Sequence, residues 1–447
     1  MSATRRGAII FGFIILSLVG CVWFSFSFLP SMGIAVGLPV ITVPGEAFNG
    51  ALPSSSNYGV ENAPNGWTNT FLAMLLADAA VLAFVFLARR ATNNFTRLVP
   101  TRFGALVELI GGFIYGQTKN FAGEKPLALK WLFPLAATIF VFLLAANWMK
   151  LLPGIESVGL LHCAHDGFSG YPAREVGPGY QLYIDQPLYA GVRATEADYE
   201  ACEHFMHDPE HFPTSEELGT LADRLAAEEA ALIAELNQEE GLRDEERQAR
   251  IDALRLEVIE EAYDHPTFAL TADELRSGIR PYIMVITPWV RGATTDLNLT
   301  LGLALVSVFA IQVFGVASLG PGYFQKFINL DALGNLSKKP LGAVDFLVGL
   351  FEIVSEIGKI VSLAFRLFGN MFAGGILLAV MSFLIAALLP LIFIGLELIV
   401  TSIQAFVFSV LTIVFAAQAM EGHHGGDEHE EHGHDAHDSA DSTAAAH

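Results

Sequence analysis

The stretch Ser362-Leu-Ala-Phe-Arg366-Leu-Phe-Gly-Asn370 places an arginine inside a largely apolar run, residues 345–417. Apolar runs of about 20 residues cross the hydrocarbon core of a bilayer as helices. Arginine keeps its proton in proteins, and a charge at that depth costs about 2.5–3.5 kcal/mol on insertion scales. Because such a charge is rarely retained without a use, we interpret Arg366 as a functional residue.

Polar residues recur around Arg366 at helical spacing. Residues three, four and seven positions apart share one face of a helix, and six polar residues follow that rule. They are Glu352, Glu356, Lys359, Ser362, Arg366 and Asn370. The pattern predicts a polar stripe on a membrane helix. A snorkelling arginine and a helix–helix ion pair are alternatives, although Arg366 lies far from either helix end.

The next apolar segment carries a second polar face. Glu397, Thr401 and Gln404 recur at steps of four and three. Interhelical hydrogen bonding would explain Thr401 and Gln404 but leaves Glu397 unexplained. Two adjacent spans with ionisable polar faces indicate an ion path between them or beside a partner.

Composition supports a membrane protein with acidic aqueous parts. Of the 447 residues 53% are hydrophobic, yet the formal charge is −22, so apolar spans and acidic segments must alternate. Nucleic acid is a poor partner for such a chain. The sequence has no Gly-rich phosphate loop and no HExxH pair, and we predict no cofactor, no bound metal and no nucleotide chemistry in this chain.

We predict an all-α polytopic membrane protein with about six transmembrane helices. The divisions are an N-terminal anchor with an outer loop (1–67), a first membrane part (68–153), an acidic outer-side insert (154–280), a second membrane part (281–420) and a tail (421–447). The first apolar run, residues 8–29, could be a signal peptide, but its continuation past Cys21 favours an uncleaved anchor. The tail is rich in His, Asp and Glu and is predicted to be disordered; metal binding and proton buffering are alternatives for it.

Further spans are predicted at residues 68–88, 130–149 and 294–319, followed by the two stripe-bearing helices. The first of that C-terminal pair is unusually long and is expected to be tilted. Residues 101–121 form an amphipathic pattern typical of a helix on the membrane surface. Arginines and lysines in the loops place the C-terminus on the cytoplasmic side of a cell inner membrane, with an organellar membrane as the alternative.

The insert is predicted to contain a helical hairpin. Thr214-Ser-Glu-Glu217 forms a capping box, Gly241 breaks the helical pattern, and a second helix begins near Arg243. We interpret the hairpin as a solvated lid whose partner is unknown. Cys163 and Cys202 could form a disulfide or, with neighbouring histidines, a metal site. Those histidines are His162, His165, His204, His207 and His211.

Several motifs resemble the membrane subunit a of F-type ATP synthases. They are Arg366-Leu-Phe-Gly-Asn370-Met, Gln404-Ala-Phe-Val-Phe, Thr295-Asp-Leu-Asn-Leu-Thr300-Leu, and the segments 99–119 and 134–153. The resemblance runs from about residue 98 to residue 418 without the insert. It implies a stator subunit that carries protons through two offset half-channels beside a rotating ring of c subunits, with peripheral-stalk b subunits and the lipid bilayer as further partners.

The resemblance also implies roles for individual residues. The family's essential arginine falls on Arg366. Asn370 and Gln404 match channel-lining positions, Glu352 matches an acidic position of the inner half-channel, and Ser362 matches a small polar one beside it. Protons released inward would pass Glu352 and Glu356.

The sequence departs from the family at the outer proton site. Many bacterial members have an acid nine residues after the arginine and a histidine seven before the glutamine, where this chain has Gly375 and Glu397. Nine and seven residues correspond to a helical rise of about 13 and 10 Å. Counted in antiparallel directions from facing residues, the two positions lie at a similar level, which indicates one proton site whose residue is carried by the other helix in this chain. We therefore predict that Glu397 alone is the outer proton site and that Gly375 leaves room for water. Lys150 stands where many relatives have an aspartate, which predicts an electrostatically different entrance.

Two other function classes remain. A secondary transporter would use Arg366 to bind an anionic substrate, but the sequence has no detectable inverted repeat. A membrane anchor would recruit partners through the insert and could dispense with Arg366. The sequence does not distinguish H⁺ from Na⁺ as the ion.

Overall fold

The computed structural model is mostly helical and has two parts, a bundle of long apolar helices and a mixed α/β insert. The structure describes residues 12, 15–38, 45–46, 67–92, 102–207, 212–239, 241–327 and 342–421. The first segment is α1 (Ile15–Ser31), which is apolar but, over its described length, shorter than a membrane span. Most of the chain before it, and the tail after Glu421, lie outside the described residues.

Within the described ranges five helices are long and apolar enough to cross a membrane. They are α2 (Asn69–Ala91), α4 (Ala128–Met149), α9 (Leu297–Leu319, continued by a 3₁₀ turn to Lys326), α10 (Gly342–Leu384) and α11 (Leu388–Ala419). The five correspond to the five predicted spans after the N-terminal run. The prediction of a helical polytopic membrane protein is confirmed, while the predicted first span at residues 8–29 begins outside the described residues.

Local chemistry fixes the ends of these helices. The Thr68 hydroxyl accepts a hydrogen bond from the Phe71 amide at the start of α2, and the Asp296 carboxylate accepts one from the Asn298 amide at the start of α9. Gly320 follows α9 with a φ of 66°, a conformation that glycine adopts without cost. The 43 residues of α10 would rise about 65 Å, roughly twice the hydrocarbon thickness of a bilayer, so its predicted unusual length is confirmed.

Small residues let the membrane helices approach closely. Ala136, Ala304, Ala364, Ala405 and Ala416 are fully buried where α4, α9, α10 and α11 meet. Close packing of this kind holds helices together in lipid, where apolar burial alone gives no drive to associate. The amphipathic helix is α3 (Arg102–Ala122), and it contacts α11 through Phe113 and Phe406, with ring centroids 5.0 Å apart.

The insert contains an antiparallel five-stranded sheet that the sequence analysis did not predict. Its strands are β1 (Gly159–Cys163), β2 (Ser169–Val176), β3 (Gly179–Leu182), β4 (Val192–Arg193) and β5 (Ile279–Pro288). They lie in the order β1-β5-β2-β3, and β4 pairs with β2. The sequence pattern did not indicate these strands for two reasons. Strand β2 contains Pro172 beside an irregular register. The apolar strand β5 crosses the predicted boundary at residue 280 and is followed closely by the next span.

Helices cover this sheet, and the predicted hairpin is among them. They are α5 (Glu196–His207), α6 (Ser215–Leu236), α7 (Asp244–Ile259) and α8 (Ala272–Arg276). Thr214 and Glu217 form the predicted capping box at the start of α6. Gly241, with a φ of 93°, lies between α6 and α7, so the prediction of two helices around a glycine-containing turn is confirmed.

A disulfide joins Cys163 at the end of β1 to Cys202 in α5. Both residues are buried in the insert's apolar core beside Phe205 and Met284. The disulfide alternative is therefore confirmed. The bond removes the two thiolates on which the metal alternative relied, and among the described residues no group of three or more His, Cys, Asp or Glu side chains could hold a metal ion.

Hydrogen bonds tie the insert to the N-terminal segment and to the bundle. The Ile184 amide donates to the Gly33 carbonyl at 3.1 Å, and Arg174 donates to the Met32 carbonyl at 2.9 Å. At the membrane end of β5 the Asn69 side-chain amide of α2 donates to the Pro288 carbonyl at 3.3 Å. The insert is thus tied to the segment that follows α1 and to α2.

Candidate functional site

The two predicted polar faces meet between α10 and α11. A connection of three residues, 385–387, reverses the chain between these helices, so they are antiparallel neighbours. The Asn370 amide donates to the Gln404 side-chain oxygen at 2.6 Å. Gln404 is buried, and its own amide nitrogen has no hydrogen-bond partner in the described part of the chain. One buried donor therefore remains for an external acceptor.

Glu397 lies in a buried ion pair with Lys150. Lys150 Nζ is 2.6 Å from Glu397 Oε1, and the two side chains are only 3% and 8% exposed. Lys150 Nζ also donates to the Met371 carbonyl of α10 at 3.1 Å. Glu397 Oε1 accepts no well-aligned hydrogen bond from the described residues, so the contact is electrostatic rather than directional. Sequence reasoning placed Lys150 at an entrance but missed this pairing.

The glycine that faces Glu397 is Gly374, not Gly375. A Cβ added at Gly374 would clash with both carboxylate oxygens of Glu397, whereas one added at Gly375 would meet nothing within 4 Å. The prediction that Gly375 leaves room for water stays a prediction, while the glycine in contact with the acid is Gly374. A step of one residue rotates a helix position by about 100°, and the sequence does not fix that rotation between two packed helices.

Buried polar side chains extend from this pair towards Asn370. The Thr294 hydroxyl donates to Asn147 Oδ1 at 2.7 Å, and the Asn147 amide lies 3.5 Å from the Thr401 carbonyl. Thr401 stands one turn after Glu397 and one turn before Gln404. We call this set the insert-side polar line: Lys150, Glu397, Asn147, Thr294, Thr401, Gln404 and Asn370.

A second polar group lies towards the other end of α10. Glu356 is buried, accepts from Lys359 at 2.7 Å and from Gln312 of α9 at 2.9 Å, and lies 3.5 Å from Lys326. Lys326 also pairs with Glu352 at 2.6 Å. The Tyr323 hydroxyl donates to the Gln312 side-chain oxygen at 2.7 Å. We call this set the distal cluster: Gln312, Tyr323, Lys326, Glu352, Glu356 and Lys359. Sequence reasoning missed Gln312, whose position as a polar residue in the apolar α9 was the available signal.

Arg366 lies between the two polar groups and is exposed on α10. Its guanidinium is 3.4 Å from the Ser362 hydroxyl, a weak contact, and within the described ranges it forms no ion pair. Phe365 and Val361 beside it are also exposed. The predicted stripe therefore divides: Glu352, Glu356 and Lys359 pack against other side chains, whereas Ser362 and Arg366 face outward on an apolar surface.

Comparison with known proteins gives the family. The ATP synthase A chain family matches residues 71–167 and 277–417, together more than half of the chain. The chain belongs to the ATP synthase A chain family. This assignment confirms the resemblance found in the motifs, and every residue of the insert-side polar line and the distal cluster lies inside the matched ranges.

Individual relatives agree with the family. The chain is 39% identical over 147 residues to "ATP synthase subunit a" of Shewanella sp. (strain W3-18-1), an alignment that covers 32% of this chain and 49% of that protein. It is 38% identical over 156 residues to "ATP synthase subunit a 1" of Photobacterium profundum (32% and 52%), and 33% identical over 137 residues to "ATP synthase subunit a" of Moorella thermoacetica (30% and 56%). The chain spans about half the length of the curated relatives it matches.

The family match also divides the insert. Strands β1 and β5, which pair from Gly159 with Pro288 to Cys163 with Met284, lie in the matched ranges. The unmatched residues 168–276 hold β2 to β4 and all four helices of the insert. The unmatched part of the insert, residues 168–276, therefore extends from the paired strands β1 and β5 at the membrane end.

Proposed function

We propose that this chain is the stator subunit that carries protons to and from a carboxylate on a rotating c ring, and so couples proton flow to ATP synthesis. The observation that carries the proposal is the position of Arg366. Its guanidinium is exposed on an apolar helix face, and the insert-side polar line and the distal cluster lie on either side of it along α10. The chain itself is proposed to bind no nucleotide.

In this proposal the insert-side polar line is the outer half-channel. A proton reaches Glu397 and passes beside Thr401, Gln404 and Asn370 to the ring carboxylate. The unpartnered Gln404 amide supports this route, because a buried donor without a partner is costly unless something else accepts from it. The protonated, neutral carboxyl can then enter lipid as the ring turns.

The distal cluster is the proposed inner half-channel. When the ring carboxyl returns, the fixed charge of Arg366 favours its ionised form, and the proton leaves past Glu356 and Glu352. The same charge repels a proton that would pass straight from one half-channel to the other. The membrane potential drives the cycle with about 2.3 kcal/mol per charge per 100 mV.

The proposal also fixes orientation and partners. The insert lies on the outer side of the cell inner membrane and the C-terminus lies in the cytoplasm, with α10 tilted across the bilayer. The exposed face around Arg366 contacts the c ring, and the b subunits of the peripheral stalk bind elsewhere on the bundle.

The test is ATP-driven proton pumping by membrane vesicles that contain the whole complex. Arg366→Ala should abolish pumping while the complex stays assembled, and Arg366→Lys should fail as well if the planar guanidinium is needed. Arg102→Ala, at another exposed arginine at the start of α3, is the matched control and should pump normally. Normal pumping by Arg366→Ala would reject the proposal and turn attention to the insert as a recruiting surface.

A further inference from the structure

The Lys150–Glu397 pair has a second charged group beside it at the base of the insert. The methylenes of Lys150 pack against Gly292, where an added Cβ would lie 3.2 Å from Lys150 and 3.2 Å from Glu156. The Gly292 amide donates to the exposed Glu156 carboxylate at 2.8 Å. A carboxylate that reaches solvent is thus held next to the buried lysine.

The other elements around the pair contribute neutral groups. Helix α10 presents the Met371 carbonyl and Gly374, the turn Ala293–Thr295 presents Thr294, and α4 presents Asn147. Among the described residues Glu397 forms no other ion pair within 4.0 Å. Lys150 is therefore the charged group that the structure places in contact with Glu397, and Glu156 lies near the methylenes of that lysine.

Two buried charges at this distance hold each other in position. Either charge would be costly to bury without a partner of opposite sign, and the Lys150 ammonium lies 2.6 Å from the Glu397 carboxylate. The hydrogen bond from Lys150 to the Met371 carbonyl fixes the ammonium between α4, α10 and α11. The Glu397 carboxylate packs directly against the backbone of Gly374, so it has no room to move towards α10.

We propose that Lys150 is the positioning residue of the outer proton site, which holds Glu397 ionised and oriented until a proton arrives from the base of the insert. This inference rests on the proposed function of Glu397. In the step itself a hydronium ion that has reached Glu397 from the base of the insert transfers its proton to a carboxylate oxygen and becomes water. Lys150 stays protonated throughout, and the pair re-forms when Glu397 passes the proton on.

The experiment uses the whole complex in liposomes, with ATP synthesis driven by a fixed membrane potential while the outer-side pH is varied. Lys150→Gln removes the charge but keeps a donor for the Met371 carbonyl, and Lys150→Arg keeps the charge. The glutamine variant should reach half-maximal synthesis at an outer pH at least about 1 unit higher, equivalent to a tenfold lower proton concentration, because the positive charge beside Glu397 is then gone. The arginine variant should keep the wild-type profile.

Two outcomes would overturn the inference. One is a glutamine variant whose pH profile coincides with that of the wild type, at whatever maximal rate. The other is a glutamine variant that does not assemble although the arginine variant does, which would make the pair a structural one. Arg366→Ala, measured in parallel, separates the two proposals: if it is inactive and the Lys150→Gln profile is unshifted, only the role of Lys150 fails.

Discussion

Replacing Gly374 by alanine should slow proton transfer strongly, whereas the same change at Gly375 should not. The two glycines are adjacent in α10, so both substitutions have the same intrinsic effect on the helix, about 1 kcal/mol in favour of alanine. They differ in what the new methyl group meets. At 374 it clashes with both oxygens of the Glu397 carboxylate, and at 375 it meets open space. The pair of variants therefore isolates the position of that carboxylate.

The expected magnitude comes from the geometry of the ion pair. The carboxylate must shift by about 1 Å to reach an ordinary van der Waals distance from the new methyl group. A shift directed away from the ammonium lengthens the 2.6 Å contact with Lys150 to about 3.6 Å. At an effective dielectric constant of about 20, the Coulomb attraction then weakens by about 2 kcal/mol. If the whole of that loss appears as a higher barrier to proton transfer through the displaced carboxylate, the rate drops about 30-fold.

The assay is ATP-driven pumping by vesicles, normalised to the amount of assembled chain. Gly374→Ala should pump about 30-fold more slowly than Gly375→Ala, which should match the wild type. Adding Glu397→Asp to the Gly374→Ala background shortens the acid by one methylene and should restore part of the rate. Equal pumping by the two alanine variants, at equal assembly, would refute the reasoning, because the clash would then be absorbed without consequence for Glu397.

Two further predictions concern the insert and use limited proteolysis of the whole complex in membranes. Cys163→Ala/Cys202→Ala should raise the cleavage rate of the insert up to about 10³-fold, because a cross-link over 39 residues stabilises the folded insert by about 4 kcal/mol. Reductant should have no effect on the double variant. An unchanged cleavage rate would show that the bond does not stabilise the insert. Burial lowers the pKa of His162 from 6.5 to about 4, so the folded insert favours the neutral ring. The shifted pKa of His162 contributes about 3 kcal/mol to the free energy of unfolding of the insert. That contribution is fully present above pH 6.5 and is lost as the pH falls towards 4. Cleavage should therefore accelerate over that range in the wild type and less in His162→Asn; parallel profiles would contradict the assignment to this ring.

The bundle was predictable from sequence because lipid leaves few alternatives. Every backbone group in the hydrocarbon must find a partner, so a long apolar run becomes a helix, and a charge within it is conspicuous. Arg366, Glu397 and Glu356 stood out for that reason, and the structure brings Glu397 and Glu356 into buried ion pairs with lysines. The spacing of Glu397, Thr401 and Gln404 correctly placed all three on a buried face.

The partners of these residues were not predictable. Lys150 and Glu397 are 247 positions apart, and their contact depends on how α4 packs against α11. Gly374 and Gly375 look alike in sequence, and only the rotation of α10 against α11 decides which one faces the acid. The sheet of the insert was hidden for a different reason. Strand β2 carries a proline, β4 has only two residues, and β5, with which β1 and β2 pair, is distant from both in sequence.

Among the described side chains of α10, every charged residue except Arg366 lies in an ion pair. Lys150 offsets Glu397 on the insert side, and Lys326 and Lys359 offset Glu352 and Glu356 in the distal cluster. Arg366 has no carboxylate within 4.0 Å among the described residues, although its apolar surroundings make an uncompensated charge expensive. A chain that neutralises two sites internally and leaves the third open has room for a counter-charge from another subunit. A carboxylate that approaches and then leaves would neutralise the charge of Arg366 only part of the time. The proposed rotary mechanism requires this behaviour.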